Sequence, residues 1–317
     1  MTGSAVPSWL PPGARAAVCF SVDDVHPAGT EPGGEPDLAR RALDVVAWLQ
    51  DRHPRLAVTF FTTPDWRSAS PAPEPGVVGR IPILGKFVYQ ARVLPRNTCR
   101  LSRHPAFCST LRSWPRSEIA LHGLHHVRRG PSTVAEFEGL GPAACRALLA
   151  RAQVLFDEAG LPCVRGLCPP GWLATPALLR AMDEIGMAFL ASARDLESPV
   201  SPEGVTRGSG LTGVPLFRPA RLPGTRLVHL STNFQATSSL DRARAIVETG
   251  GLLSIKAHLL QGLGRYRALD GLGKDYAEHL HRVLSTLEDE HGDALWWPRM
   301  SAIADRVRAD ANAEACA

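Results

Sequence analysis

Two short stretches hold the side chains best suited to chemistry. Val18-Cys19-Phe20-Ser21-Val22-Asp23-Asp24 is an apolar run of strand type that ends in two adjacent carboxylates. Carboxylates at the end of a buried strand are costly to desolvate unless a cation sits beside them. Downstream, Ile119-Ala120-Leu121-His122-Gly123-Leu124-His125-His126 repeats the arrangement with imidazoles. One carboxylate from the first strand end and two imidazoles from the second make the three protein ligands of a catalytic zinc-type site, with a fourth position open for water. Taken alone, an Asp-Asp pair is commonly a cap or turn, and His-x-x-x-His is commonly a solvated surface pair. Their joint occurrence at two strand ends points to a divalent metal. A third apolar run, 252–258, ends in His258, and Lys256 lies two residues earlier on the same face, where it can hold a positive charge near the strand end.

The elements that must position these groups alternate. After the first strand and a Gly/Pro-rich loop, Asp37 is placed to cap a helix reaching to about Arg52, and 56–62 is β-branched and aromatic, hence a strand. Helices are expected at 133–140, 142–159, 176–185, 240–249 and 275–290 and after Pro298. Strands are expected at 164–167, 187–192, 213–217, 226–231 and 252–258. Functional residues at the C-terminal ends of strands in a strand-helix alternation fit an α/β barrel. Residues 66–117 break the pattern. The segment opens with a Pro-rich stretch and then runs from Pro75 to Ser117 with Arg80, Lys86, Arg92, Arg96, Arg100, Arg103, Arg112 and Arg116 and no acidic residue. It reads as an insertion, either a basic flap that attracts an anionic substrate or membrane surface or a solvated basic face.

The Asp23-Asp24-Val25 and His122 to His126 motifs resemble those of the polysaccharide deacetylase family, the NodB-homology or carbohydrate esterase family 4 enzymes, in a divergent branch that opens Asp-Asp-Val. The resemblance spans roughly residues 15 to 310 and implies a distorted (β/α)7 barrel. It implies Asp23 as general base, Asp24, His122 and His126 as metal ligands and His258 as general acid. Gly123 stands where the family has Ser or Thr, so a bond that steadies the histidine loop is missing. The third motif, Arg-x-Pro-Tyr, matches poorly. With Pro170 aligned to the motif proline, Cys168 replaces the arginine and Gly171 the tyrosine. That register leaves a backbone N–H for an oxyanion at Gly171, whereas the alternative puts Pro170 there, with none. Arg165 or Lys256 is then expected to replace the arginine beside Asp23, and Trp172 to wall the pocket. His125, left over from the ligand set, is grouped with Trp172, Lys256 and Arg165 as substrate-contacting. The fourth motif is only hinted at by Arg194-Asp195.

The chain of 317 residues, 44% hydrophobic and 21% charged, suits a single globular catalytic domain over 1–317. A net charge of +4 is too small to suggest nucleic acid binding. There is no basic and apolar leader before Gly13, no apolar run long enough to span a bilayer, and seven scattered cysteines without a Cys-x-x-Cys pair. The expectation is a cytoplasmic protein with reduced thiols. The activity these features imply is metal-dependent hydrolysis, with zinc (Zn2+) the expected metal, of an N-acyl amide on an amino sugar or amino-sugar conjugate. The alternatives are an amidohydrolase acting on a non-sugar amide and a non-catalytic carbohydrate-binding relative.

Overall fold

Every residue of β1 (Ala16–Val25) except Asp24 is buried. An apolar strand with both faces covered belongs at the centre of a parallel sheet. The computed structural model describes residues 9–69, 93–127, 134–263 and 266–316. After β1 come α1 (Leu38–Arg52), β2 (Val58–Thr62), the short antiparallel pair β3 (Asp65–Trp66) and β4 (Cys99–Arg100), then α2 (Pro105–Arg112) and β5 (Ser117–Leu121). The alternation continues through α3 (Pro142–Glu158), β6 (Gly166–Leu167), α4 (Pro176–Glu184) and β7 (Phe189–Ser192). A second small antiparallel pair, β8 (Val205–Thr206) with β9 (Val214–Pro215), precedes β10 (Ala220–Arg221) and β11 (Val228–Ser231). Then come α5 (Leu240–Glu248), β12 (Leu252–His258), the hairpin β13 (Gly262–Leu263) and β14 (Tyr266–Arg267), α6 (Lys274–His291), β15 (Leu295–Trp296) and α7 (Met300–Cys316).

The main sheet runs β10-β11-β7-β6-β5-β2-β1-β12. All its neighbours are parallel except β10, which lies antiparallel on β11. From its two sides, β11 and β12 approach each other just past Ser231. There Phe234 forms a parallel bridge with Ile255, and the Asn233 side chain accepts from the Ser254 N–H and donates to the Leu252 carbonyl. The result is the distorted (β/α)7 barrel that the resemblance implied.

Inside the barrel, Cys19, Phe61, Ala120, Phe189, Ala191, Val228 and Leu230 pack with Met300, Ile303 and Ala304 of α7. Gly166 makes room for Phe189, whose ring would overlap a Cβ at that position. The buried Glu118 carboxylate accepts from the Thr59 hydroxyl and from Ser301 in the first turn of α7. An anion there matches the positive end of that helix. Thus α7 closes the N-terminal mouth and leaves the C-terminal mouth for the site.

Two expectations need correction. Residues 134–140 form turns rather than a helix, because Gly139 takes φ 73° and the chain bends back to deliver Glu136. The segment read as a break in the alternation contains α2, the crossover helix between β2 and β5. An eight-residue helix that opens on proline shows too few turns to betray its period. Residues 70–92, with Arg80, Lys86 and Arg92, lie outside the described residues.

His229 of β11 is fully buried, and neither ring nitrogen has a hydrogen-bond partner among the described residues. Burial pushes its pKa down to about 4, with only slight opposition from the Ser192 backbone. The unfolded chain therefore binds this proton first, and stability is lost as pH falls from about 6.5 towards 4. His229→Phe should flatten that acid limb, by up to about 3 kcal/mol at pH 4. Urea unfolding of both proteins across pH 4 to 7 checks it; parallel limbs would refute it.

Candidate metal centre and active site

The ends of β1, β5, β6 and β12 meet at the open mouth. Neighbouring residues of a regular strand point to opposite faces. Here β1 shifts register between Val22 and Val25, with Asp24 at φ 59°, so both carboxylates are delivered to the mouth. His122 comes directly after β5, and His126 closes the next turn at φ 57°. The Thr63 hydroxyl donates to the His122 carbonyl at 2.7 Å. The Glu136 carboxylate accepts the N–H groups of Leu124 and His125 at 2.8 and 2.9 Å. A Cβ on Gly123 would collide with that carboxylate. Glu136 therefore supplies the steadying bonds that the sequence alone left missing, and glycine is what lets it approach.

The Nε2 atoms of His122 and His126 lie 3.0 and 3.1 Å from Asp24 Oδ1, and the three ligand atoms fall within 4.8 Å of one another. His122 Nδ1 is 2.7 Å from the Cys168 carbonyl, which can only accept, so Nδ1 carries a proton. Nε2 then meets the carboxylate either with a second proton or with a cation between them. The donor set and its supporting carbonyl suit a divalent metal of zinc type, with Asp24, His122 and His126 as ligands. Without the cation, burial opposes charge on His122, but Asp23 and Asp24 outweigh it and raise its pKa. Burial likewise opposes the Asp24 anion, yet His126 and His122 hold that carboxyl well below the usual range.

Asp23 is fully buried. Its Oδ2 receives the Lys256 ammonium, the Trp172 indole N–H at 3.1 Å and the Cys168 thiol at 3.2 Å. Its Oδ1 is buried with no protein partner among the described residues. Burial pushes the Asp23 carboxyl up, but Lys256, then His122 and His258, bring it below the ordinary value. His258 Nδ1 lies 2.9 Å from Asp270 Oδ1, and this pairing raises the imidazole pKa against the effect of burial. Gly171 and Trp172 take successive left-handed conformations, φ 68° and 56°. The Trp172 N–H bonds Pro169, while the Gly171 N–H has no partner among the described residues. The cleft between these groups measures about 150 Å³ and is walled by Trp66, Trp172, Val134, Leu260 and Ala268.

Of the residues singled out by sequence, Asp23, Asp24, His122, His126, Gly171, Trp172, Lys256 and His258 come together. His125 and Arg165 do not. The His125 ring turns away to the Asp65 carbonyl and carboxylate, at 3.0 and 3.3 Å. The exposed Arg165 precedes β6 and donates to the Gly186 carbonyl, on the far side of the strand from the mouth. Lys256 alone therefore takes the place beside Asp23. In the 66–117 segment, Arg100 pairs with Glu158, and Arg112 and Arg116 bond carbonyls of Gly160 and Gln50. None of the described arginines there lines the cleft. Sequence reasoning missed His26 and Trp66, which line the cleft, as well as Glu136 and Asp270. Of these, His26 carried a signal, standing two residues after the Asp-Asp pair.

This architecture is similar to that of solved proteins, among them one assigned as a polysaccharide deacetylase. Neither a family model nor a curated protein sequence matches the chain. Among solved structures, a protein assigned as a polysaccharide deacetylase from Mycobacterium smegmatis matches at TM-score 0.57 and 17% identity, over 95% of this chain and 93% of that one. A 4-alpha-glucanotransferase from Thermococcus litoralis matches at TM-score 0.51 and 11% identity, over 92% of this chain and 40% of its own. A family 4 carbohydrate esterase from Streptomyces lividans in complex with acetate matches at TM-score 0.40 and 14% identity, over 89% and 91%. At these identities the likeness is one of fold. No described helix is long and apolar enough to cross a membrane.

The His122 geometry makes a calorimetric prediction. The contacts of Nδ1 with the Cys168 carbonyl and of Nε2 with Asp24 Oδ1 favour both ring protons on His122, and a cation bound at Nε2 must displace one of them. Zinc titrations in buffers of different ionisation enthalpy should show release of about one proton per metal bound. They should show no binding to the His122→Ala, His126→Ala double variant. Binding without proton release would mean that His122 is not a ligand.

Proposed function

We propose that the protein is a metal-dependent hydrolase that removes an acyl group, acetyl in the first instance, from the amide nitrogen of an amino sugar or amino-sugar conjugate. The observation that carries this reading is Asp23 Oδ1, a buried and unpartnered carboxylate oxygen beside the Asp24, His122 and His126 cluster. A binding protein has no use for an ionised acceptor in that place, whereas a general base needs one lone pair free. A divalent cation held by the cluster would polarise the amide carbonyl and make water acidic enough to attack near neutral pH.

The remaining steps belong to the chain's own groups. Asp23 takes the proton of the attacking water on Oδ1 while Lys256, Trp172 and Cys168 fix Oδ2, so the free oxygen keeps one direction. Gly171 lines the cleft, and its N–H, unpartnered among the described residues, donates to the oxygen that becomes negative as the carbonyl carbon turns tetrahedral. His258, kept protonated by Asp270, gives its proton to the departing nitrogen. The loss of the family's arginine at Cys168 is compensated by Lys256, which favours catalysis over the non-catalytic alternative. Neutral, aromatic walls suit the uncharged acylated end of a sugar.

Asp23→Asn should retain zinc and lose about 10²–10⁴-fold in kcat on an N-acetyl amine substrate. Loss of metal in that variant would exchange the roles of the two aspartates. Asp270→Asn should lower the His258 pKa. Because His258 acts as the protonated form, the alkaline limb of the pH–rate profile should move to lower pH, with KM little changed. An unshifted limb would remove His258 from the acid role.

A further inference from the structure

His26 has no part in the steps above, yet it lines the cleft. Its ring lies flat on Trp66, with centroids 4.1 Å apart and planes inclined by 6°. Trp66 is held in turn by the indole N–H, which donates to the Ser68 carbonyl at 2.7 Å, so the pair is a rigid wall. His26 Nδ1 lies 2.6 Å from the Asp24 carbonyl, which can only accept. Nδ1 is therefore the protonated nitrogen, and Nε2 carries a lone pair. Nε2 has no protein partner among the described residues and is not sealed from solvent. It is the free polar atom of a residue that lines the cleft.

The other described residues lining the cleft are either committed to the metal, to the oxyanion or to the leaving group, or are apolar. We infer that His26 Nε2 is the hydrogen-bond acceptor that selects the substrate, and that it takes a hydroxyl group next to the acylated nitrogen. A sugar ring lying against Trp66 presents such a hydroxyl; a simple alkyl or aryl amide does not. An acceptor fixed in an apolar wall is left unpaired by a substrate without a donor, and that loss discriminates against hydroxyl-free amides. The inference rests on the acyl-amide reading of this cleft and names the substrate class within it.

The test uses two neutral probes, N-acetylglucosamine and N-cyclohexylacetamide, on the zinc-loaded protein, with affinity read by calorimetry and turnover by acetate release. The wild type should bind the sugar about three- to tenfold more tightly, the range of one neutral hydrogen bond. His26→Phe, which keeps a ring on Trp66, should erase that preference by weakening N-acetylglucosamine more than N-cyclohexylacetamide. His26→Gln, with a donor for the Asp24 carbonyl and an acceptor oxygen, should recover part of it. Melting temperature and zinc content establish that each variant is folded and loaded; if His26→Phe is not, the His26→Gln comparison decides. Equal binding of the two probes by the wild type, or equal weakening of both in a folded variant, overturns the inference. A binding preference that depends on His26 with no acetate released would sustain it and overturn the hydrolase reading instead.

Discussion

A carboxylate with no access to solvent organises this molecule. The Asp23 carboxyl lies inside the barrel mouth, where burial opposes its charge. Lys256 answers it from the adjacent strand, itself fully buried and held protonated by Asp23 against the same desolvation. Removing either partner would leave the other as an isolated buried ion, among the more destabilising changes a core can suffer. The geometry of β12 reflects this pairing. Lys256 and His258 share a face, and the Tyr276 hydroxyl donates to the Lys256 carbonyl from α6, so the strand that carries the cation is tied from behind.

That the cation beside Asp23 comes from β12 has local consequences at the end of β6. The position after β6 is left to Cys168, whose thiol is small enough to touch both Asp23 and Lys256. Its carbonyl is free to take the His122 ring proton. The thiol is forced well above its ordinary pKa, first by burial and then by Asp23, which favours its neutral form as a weak donor. The left-handed conformations of Asp24, His126 and Trp172 gather round the same point. Such conformations cost of order 1–3 kcal/mol each and persist where the surroundings over-determine them. Here those surroundings are the His26 bond to Asp24, the Glu136 bonds to the histidine loop and the Ser192 bond to the Trp172 carbonyl.

The residues legible in the sequence were those that a strand end announces. Asp23, Asp24 and His258 end apolar runs and His122, His125 and His126 follow one, which makes them visible from period and position; the resemblance to the deacetylase motif is what implied His126 rather than His125. Glu136 and Asp270 could not be found that way. Each sits in an irregular stretch, and each acts because the chain doubles back: Glu136 through the turns at 134–140, Asp270 through the return of the β13–β14 hairpin onto His258. A long loop brings its acid to the site by closure rather than by register, and nothing in local composition records where it closes. Arg165 was misplaced for the opposite reason. Its charge suited the missing arginine, but it lies before β6 rather than after it, and the mouth gathers only residues on the C-terminal side of each strand.

The β1 and β12 register sets the Asp23 carboxylate and the His258 imidazole, the proposed base and acid, side by side. Asp23 pairs with His258 across the two strands, and Ser21 with Lys256, so one face of the sheet edge carries cation, anion and imidazole in a fixed row. Lys256 draws the Asp23 pKa down, and Asp270 draws the His258 pKa up. The anion of Asp23 also favours the His258 cation, and the cation favours the anion, so each group makes the form assigned to the other easier to hold. A slip of one residue would turn Lys256 and His258 to the opposite face and leave Asp23 without either. The register is pinned by apolar pairs on the face towards the helices, where Val18, Phe20 and Val22 of β1 and Leu253, Ile255 and Ala257 of β12 are all buried in one cluster. The placing of Asp23 and His258 at the mouth is thus tied to hydrophobic packing along the strands beneath it: the residues that hold the barrel together are the ones that keep the proposed base and acid facing each other.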